Sequence, residues 1–135
     1  MEIANSRDVE EAVEAIEWCR RAAAGKAISV LGHGVGATVA LLVALQCKRQ
    51  VKGVGALSLP PQGLPSPIEL KKLKADLFFG IGTGDEVARP STTQALHAAC
   101  SKPKQLKLYP GATHELGEVT ADLLADAMAW VTRVI

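Results

Sequence analysis

The chain has 135 residues and a formal net charge of +1 at pH 7, and 48% of its residues are hydrophobic while 21% are charged. This length and balance predict one globular domain over residues 1–135 with a substantial core, and they exclude wholesale disorder. The nearly neutral charge, without a basic stripe carrying interleaved aromatic residues, argues against nucleic acid or an anionic membrane as a partner.

The lack of a membrane-spanning stretch or signal peptide and the cysteine usage predict a cytoplasmic location. The longest apolar stretch, Val35 to Leu45, is shorter than the roughly 20 residues that a membrane-spanning helix needs. The acidic start, MEIANSRDVEEAVE, lacks the basic and apolar regions of a signal peptide. Cys19, Cys47 and Cys100 are widely spaced without a CxxC pair, which predicts free, buried thiols in a reducing compartment.

The first half of the chain alternates helical and strand patterns. Apolar residues at helical spacing predict a helix from about Asp8, its expected N-cap, to Ala24. The run Ala27–Leu31 predicts a buried strand, Val35–Cys47 a helix that is apolar on nearly every face, and Val51–Leu57 a second strand.

The second half continues the alternation after a loop over residues 58–66 that is rich in proline and glycine. Ser66, Pro67 and Glu69 form a capping box that predicts a short helix to about Leu73. The further predicted elements are a strand over Asp76–Ile81, a helix over Ser91–Cys100, a strand over Gln105–Tyr109 and a last amphipathic helix carrying Val119, Leu123, Ala127, Met128 and Val131.

Strands that alternate with helices predict a parallel sheet with helices on both faces, here an α/β three-layer sandwich of about four strands. In such sheets the catalytic and binding groups gather at the carboxyl ends of the strands. Three of these ends carry notable residues, namely the segment Gly32–Gly36, then Asp85, then His114.

These three segments resemble the catalytic loops of the α/β-hydrolase superfamily. Gly32–Gly36, between a strand and an apolar helix, is similar to the nucleophile elbow; Gly82–Val87 resembles the acid loop, and Gly111–Glu115 the histidine loop. The three follow one another in the family's order. The resemblance covers essentially the whole chain. It implies the C-terminal half of a cap-less hydrolase similar to dienelactone hydrolases and esterases.

The resemblance also implies a role for each site residue. Asp85 and His114 would be the acid and the base, and the Val35 N–H would be an oxyanion donor. Gly32, His33 and Gly36 would line or support the same site.

Two departures from the family pattern change the expected chemistry. Gly34 stands where the elbow carries serine, so the nucleophile position is vacant and the acyl-enzyme route is closed. The strands that precede the elbow helix in the family, with the loop that gives a second oxyanion amide, have no counterpart here. We therefore expect a degenerate homologue that binds a small ligand or acts through assembly. The alternative is a weak or engineered-inactive ester or acyl hydrolase that uses Asp85 and His114 to activate water.

The sequence supports dinucleotide, anion or metal binding less well. Gly32, Gly34 and Ala37 fit a relaxed dinucleotide fingerprint, but no acidic residue occurs between Glu17 and Glu69 to hold a ribose. Simple anion binding at the elbow stays open. The histidines lack ligand-spaced partners, so we expect no metal and no cofactor.

The segment Ala27–Leu31 is expected to be an exposed edge strand, because the resemblance places the absent strands beside it. An apolar edge associates unless it is paired or covered. This predicts a homodimer, or a separate partner chain, along that edge, and edge pairing of two copies would give a sheet of about eight strands.

Overall fold

The structure is a computed structural model that describes residues 4–101 and 103–134. In chain order the elements are α1 Ser6–Ala22, β1 Ile28–His33, α2 Val35–Gln46, β2 Val51–Leu57, α3 Pro67–Leu70, β3 Asp76–Gly82, α4 Pro90–Ala99, β4 Lys104–Tyr109, a 3-10 turn Gly117–Val119 and α5 Thr120–Val134. Every helix and strand expected from the sequence is present, with small shifts at the ends. The largest is at α3, which ends at Leu70 instead of about Leu73, and β1 continues through Gly32 to His33 instead of ending at Leu31.

The described residues form one four-stranded parallel sheet in the order β1-β2-β3-β4. Val30 pairs with Val54 between β1 and β2, and Phe79 pairs with Leu106 between β3 and β4. Each strand therefore lies beside its successor in the chain, and β1 and β4 occupy the two edges. The four carboxyl ends point the same way, which confirms the predicted sheet and brings the notable loops to one side.

Two hydrophobic clusters fill the two faces of the sheet. On one face Leu77 and Phe79 of β3 pack in a cluster with residues of α1, α2, α3 and α4. On the other face Phe78 packs with Trp130 of α5, whose ring lies 5.7 Å from that of Phe78 between centroids. Adjacent β3 residues thus enter different clusters, as the alternation of side chains along a strand requires. The result is the predicted helix–sheet–helix sandwich.

The start of α1 differs from the sequence prediction. Asn5, not Asp8, is the N-cap: its side chain accepts a hydrogen bond from the Asp8 N–H at 3.0 Å. The Asp8 carboxylate returns a contact by accepting from the Asn5 N–H at 3.0 Å. This reciprocal capping box satisfies two amides, so the helix begins at Ser6, three residues earlier than a cap at Asp8 would allow.

All three cysteines are free thiols, and two of them are buried. Cys47 and Cys100 are buried free thiols, as expected, and burial raises the pKa of each. Cys19 is exposed, so the prediction of burial is wrong for it: it lies outside the face of α1 that packs on the core, which is centred on Ile16.

None of the described helices is both long enough and apolar enough to cross a bilayer.

Candidate functional site

The connection from β1 to α2 is a tight turn at Gly34. Its φ is 61° and its ψ is −129°, a conformation that glycine adopts far more readily than residues with a side chain. The Gly34 N–H donates to the Leu57 carbonyl at 2.9 Å, and its carbonyl accepts from the Ala37 N–H at 2.9 Å. Backbone bonds to β2 and to the first turn of α2 therefore hold the turn, whatever side chain it carries.

The two glycines that flank Gly34 differ in what surrounds them. A Cβ on Gly32 would overlap the backbone carbonyl of Gly36, whereas a Cβ on Gly36 would meet nothing within 4 Å. Gly32 is therefore required by the close approach of β1 to the start of α2. Gly36 leaves open space beside the turn.

Asp85 follows β3 and is 3% exposed. Its Oδ1 accepts two backbone hydrogen bonds, from Val87 at 2.9 Å and from Ala88 at 2.8 Å. Its Oδ2 lies 2.9 Å from His114 Nδ1. Both carboxylate oxygens thus have partners, and the carboxylate is fixed with one oxygen aimed at the imidazole.

His114 follows β4 and is held through its ring and its backbone. While Nδ1 contacts Asp85, the backbone carbonyl accepts from Ser58 Oγ at 2.8 Å and lies 2.8 Å from His33 Nε2. A carbonyl only accepts, so His33 must carry its proton on Nε2. His33 therefore supports the histidine loop, and Ser58 does the same from the residue after β2.

The distance across the turn links Gly34 to the histidine. A Cβ built on Gly34 would lie 3.7 Å from His114 Nε2. A side chain at position 34 would therefore point toward the ring nitrogen that Asp85 does not contact. The structure brings together Gly34, Asp85 and His114 at one edge of the sheet, where the sequence analysis expected them.

A cleft of about 460 Å³ opens above these residues. Gly32 and Asp85 were expected at the same site but are not among its lining residues, because Gly32 packs against Gly36 and Asp85 is buried against His114. The lining contains the expected Gly34, Val35, Gly36, His33 and His114, and it adds Pro60, Val87 and Glu115. The sequence reasoning missed these last three residues. Each lies within three residues after β2, Asp85 or His114. That placement was the available signal, since loops at the carboxyl ends of parallel strands converge.

Other expectations for the site can be placed as well. Thr38, a hydroxyl-bearing residue in the first turn of α2, is 1% exposed. The Ser58 hydroxyl donates to the His114 carbonyl. Ser58 follows β2, where a dinucleotide-binding site would hold a ribose, and its hydroxyl is already engaged. Within residues 4–101 and 103–134, His, Cys, Asp and Glu form no cluster of three or more suited to a metal ion.

Comparison with known protein families agrees with this geometry. The model of the dienelactone hydrolase family matches residues 2–130. The chain belongs to this family. No curated protein sequence matches it significantly.

Solved structures share the fold of this dienelactone hydrolase family member at low sequence identity. An α/β-hydrolase candidate of unknown function from Agrobacterium tumefaciens is similar with a TM-score of 0.84 and 17% identity over 98% of this chain and 62% of its own. A monoacylglycerol lipase from Paleococcus ferrophilus gives 0.79 and 16% over 94% and 76%. The esterase domain of a Rhodothermus marinus protein gives 0.76 and 17% over 93% and 68%. The chain thus spans less than two thirds of the Agrobacterium protein.

Proposed function

We propose that this dienelactone hydrolase family member binds a small ester- or acyl-like ligand in the cleft above Gly34 without forming an acyl-enzyme. The observation that carries the proposal is the vacant space at Gly34, whose Cβ position lies 3.7 Å from His114 Nε2. A serine there would be close enough to share a proton with the histidine, whereas glycine offers no atom that attacks a carbonyl carbon. The buried thiols Cys47 and Cys100 support the cytoplasm as its location.

The remaining groups of the cleft suit such a ligand. Val35 is the first residue of α2, and the first amides of a helix have no acceptor within it. Its N–H is therefore available to a carbonyl oxygen of the ligand, while His114 Nε2 faces the same space. A ligand with a polarised carbonyl would place its oxygen at Val35 and its reactive carbon near Gly34.

Gly34→Ser tests the proposal by adding the absent hydroxyl. We expect the unmodified protein to show no labelling by a fluorophosphonate probe and Gly34→Ser to be labelled and to hydrolyse short-chain p-nitrophenyl esters. The positive φ should cost the variant about 1–3 kcal/mol of stability, so its unfolding midpoint is measured alongside. Labelling should disappear again in Gly34→Ser/His114→Ala.

Gly36→Ser is the matched control, because it adds the same hydroxyl in open space two residues along the chain. We expect no labelling of this variant. If a folded Gly34→Ser remains inert, His114 and Asp85 do not act on position 34. If the unmodified protein is labelled, another residue is nucleophilic. Either result would overturn the proposal.

A second candidate function is hydrolysis by direct activation of water. The observation that favours it is the pairing of His114 Nδ1 with the buried Asp85, which leaves Nε2 as the base toward the cleft. In this reaction Nε2 takes a proton from water, the water oxygen bonds to the acyl carbon, and the leaving alkoxide receives the proton from Nε2. Slow ester hydrolysis should then survive fluorophosphonate treatment and be lost in His114→Ala.

A further inference from the structure

The basic residues of the first half of the chain are not balanced by acidic ones. Over residues 18–68 the sequence carries six lysine and arginine residues and no aspartate or glutamate. The whole chain has a net charge of only +1, so its positive charge is concentrated in this segment and its negative charge lies elsewhere. The fold decides whether these basic residues share one surface.

Four of the six line one pocket at the amino ends of β1 and β2. The pocket has a volume of about 330 Å³, and its lining includes Arg20, Lys26, Arg49 and Lys52. Arg20 belongs to the last turn of α1 and Lys52 to β2, while the connections into β1 and β2 supply the other two. Because the strands are parallel, these groups meet at the end of the sheet opposite to the cleft above Gly34.

Most of this positive charge is uncompensated in the part of the chain that the structure describes. Glu17 pairs with Arg20 at 3.1 Å. None of the ion pairs of the described residues involves Lys26, Arg49 or Lys52. Three positive charges therefore face one concave surface without a carboxylate beside them.

Helix dipoles explain only part of this arrangement. The carboxyl end of a helix attracts basic side chains, which suits Arg20 at the end of α1 and Arg49 in the turn after α2. Lys52 lies on β2, where no helix ends. Like charges that share a pocket repel one another, and an anion between them removes that repulsion.

We propose that this pocket binds a small ligand with at least two linked phosphate groups. Small-molecule sites begin at about 300 Å³, so the pocket is large enough for such a ligand. A phosphate group carries about 1.5–2 negative charges at pH 7, so two of them match the three free positive charges. Arginine contributes paired N–H donors and lysine a point charge. The pocket lies apart from the cleft above Gly34, and this proposal does not depend on the chemistry there.

Isothermal titration calorimetry of the full chain with inorganic pyrophosphate tests the proposal. We expect saturable binding that weakens as salt is added, and much weaker binding of sulfate, which offers a single anionic group. Amide shifts in NMR spectra locate the bound ion. Gly25 and Gln50, which line the pocket, should shift more than Val35 and Gly36 at the start of α2.

Lys52→Gln should weaken pyrophosphate binding by about tenfold, the loss expected for one hydrogen bond to a charged group, and Arg49→Gln should weaken it at least as much. Lys72→Gln is the matched control, because it removes the same charge from an exposed lysine outside the pocket. This change should leave the affinity within about twofold. Circular dichroism confirms that the variants are folded.

Four results would overturn the proposal. Without saturable binding of pyrophosphate, the pocket is not an anion site. Equal losses in Lys52→Gln and Lys72→Gln would show that the net charge of the chain, and not the pocket, attracts the ion. Sulfate that binds as tightly as pyrophosphate would exclude recognition of linked phosphates. Larger shifts at Val35 and Gly36 would place the ion at the start of α2.

Discussion

The two sides of the cleft contrast in how they are built. On the acid–base side, both carboxylate oxygens of Asp85 are engaged and His114 is held through its ring and its carbonyl. On the nucleophile side, Gly34 keeps the backbone of a sharp turn but supplies no side chain. The turn depends on backbone hydrogen bonds and on the close approach at Gly32, so its shape survives without a nucleophile. The backbone of this turn is therefore independent of any side chain at position 34.

The largest expected effect is on the nucleophile side, at Gly32. Gly32→Ala forces a methyl group into the carbonyl of Gly36, and rigid backbone has little room to give. We expect a loss of about 3 kcal/mol in the free energy of unfolding, at the upper end of the usual cost of overpacking. Urea denaturation measures it. Gly36→Ala, which meets open space, should be neutral or slightly stabilising within α2; similar losses for both would refute the packing argument.

Substitutions of Asp85 test the opposite side of the cleft. Asp85→Ala leaves the amides of Val87 and Ala88 without their acceptor, and we expect a loss of about 2–3 kcal/mol, a common cost of unsatisfied buried donors. Asp85→Asn keeps one acceptor oxygen and should lose less. Its amide N–H₂ would face His114 Nδ1 and so favour the proton on Nε2, which ¹⁵N NMR of the imidazole detects. An unchanged tautomer in Asp85→Asn would contradict the positioning role of Asp85.

A smaller effect is expected from the support beneath the histidine loop. Ser58→Ala removes one of the two donors to the His114 carbonyl. We expect a loss of about 1 kcal/mol in stability, the net worth of one neutral hydrogen bond. In the Gly34→Ser background, ester hydrolysis should fall more steeply than stability, because the imidazole is less well aimed. Urea denaturation and p-nitrophenyl ester assays on the same preparations make that comparison, and Thr132→Ala, at an exposed hydroxyl of α5, is the control.

The smallest effect concerns the hydrogen bond between Tyr109, at the end of β4, and Asp126 of α5. Tyr109 donates to Asp126 Oδ2 at 2.8 Å, and burial, reinforced by that hydrogen bond and the charge of Asp126, raises the pKa of Tyr109. The folded state therefore holds the phenol proton more tightly than the unfolded chain does. Stability should fall as the pH rises above 10.0, the ordinary pKa of tyrosine.

Tyr109→Phe tests this linkage by removing the phenol. The variant should lose about 1 kcal/mol near pH 8, and the difference from the unmodified protein should shrink at more alkaline pH. Unfolding free energies at pH 8 and at about pH 10.5 give the comparison. Parallel pH dependences of the two proteins would show that Tyr109 ionises equally in the folded and unfolded states.

The sequence was sufficient to predict the alternation of strands and helices, the order of the site loops and the meeting of Gly34, Asp85 and His114. These features follow from local hydrophobic pattern and from the rule that parallel strands bring their carboxyl ends to one edge. The sequence also predicts that Gly34 occupies the turn, because the elbow motif determines which residue stands there.

Only the tertiary structure decided how the site is held and what surrounds it. The bonds of Ser58 and His33 to the His114 carbonyl join residues far apart in sequence, and no local spacing encodes them. The same holds for Pro60, Val87 and Glu115 in the cleft. Cys19 was expected to be buried like the other two thiols, but the packing of α1 leaves it exposed. Periodicity predicts which faces are apolar; the packing of α1 against α2 and β1 determines which of them are covered.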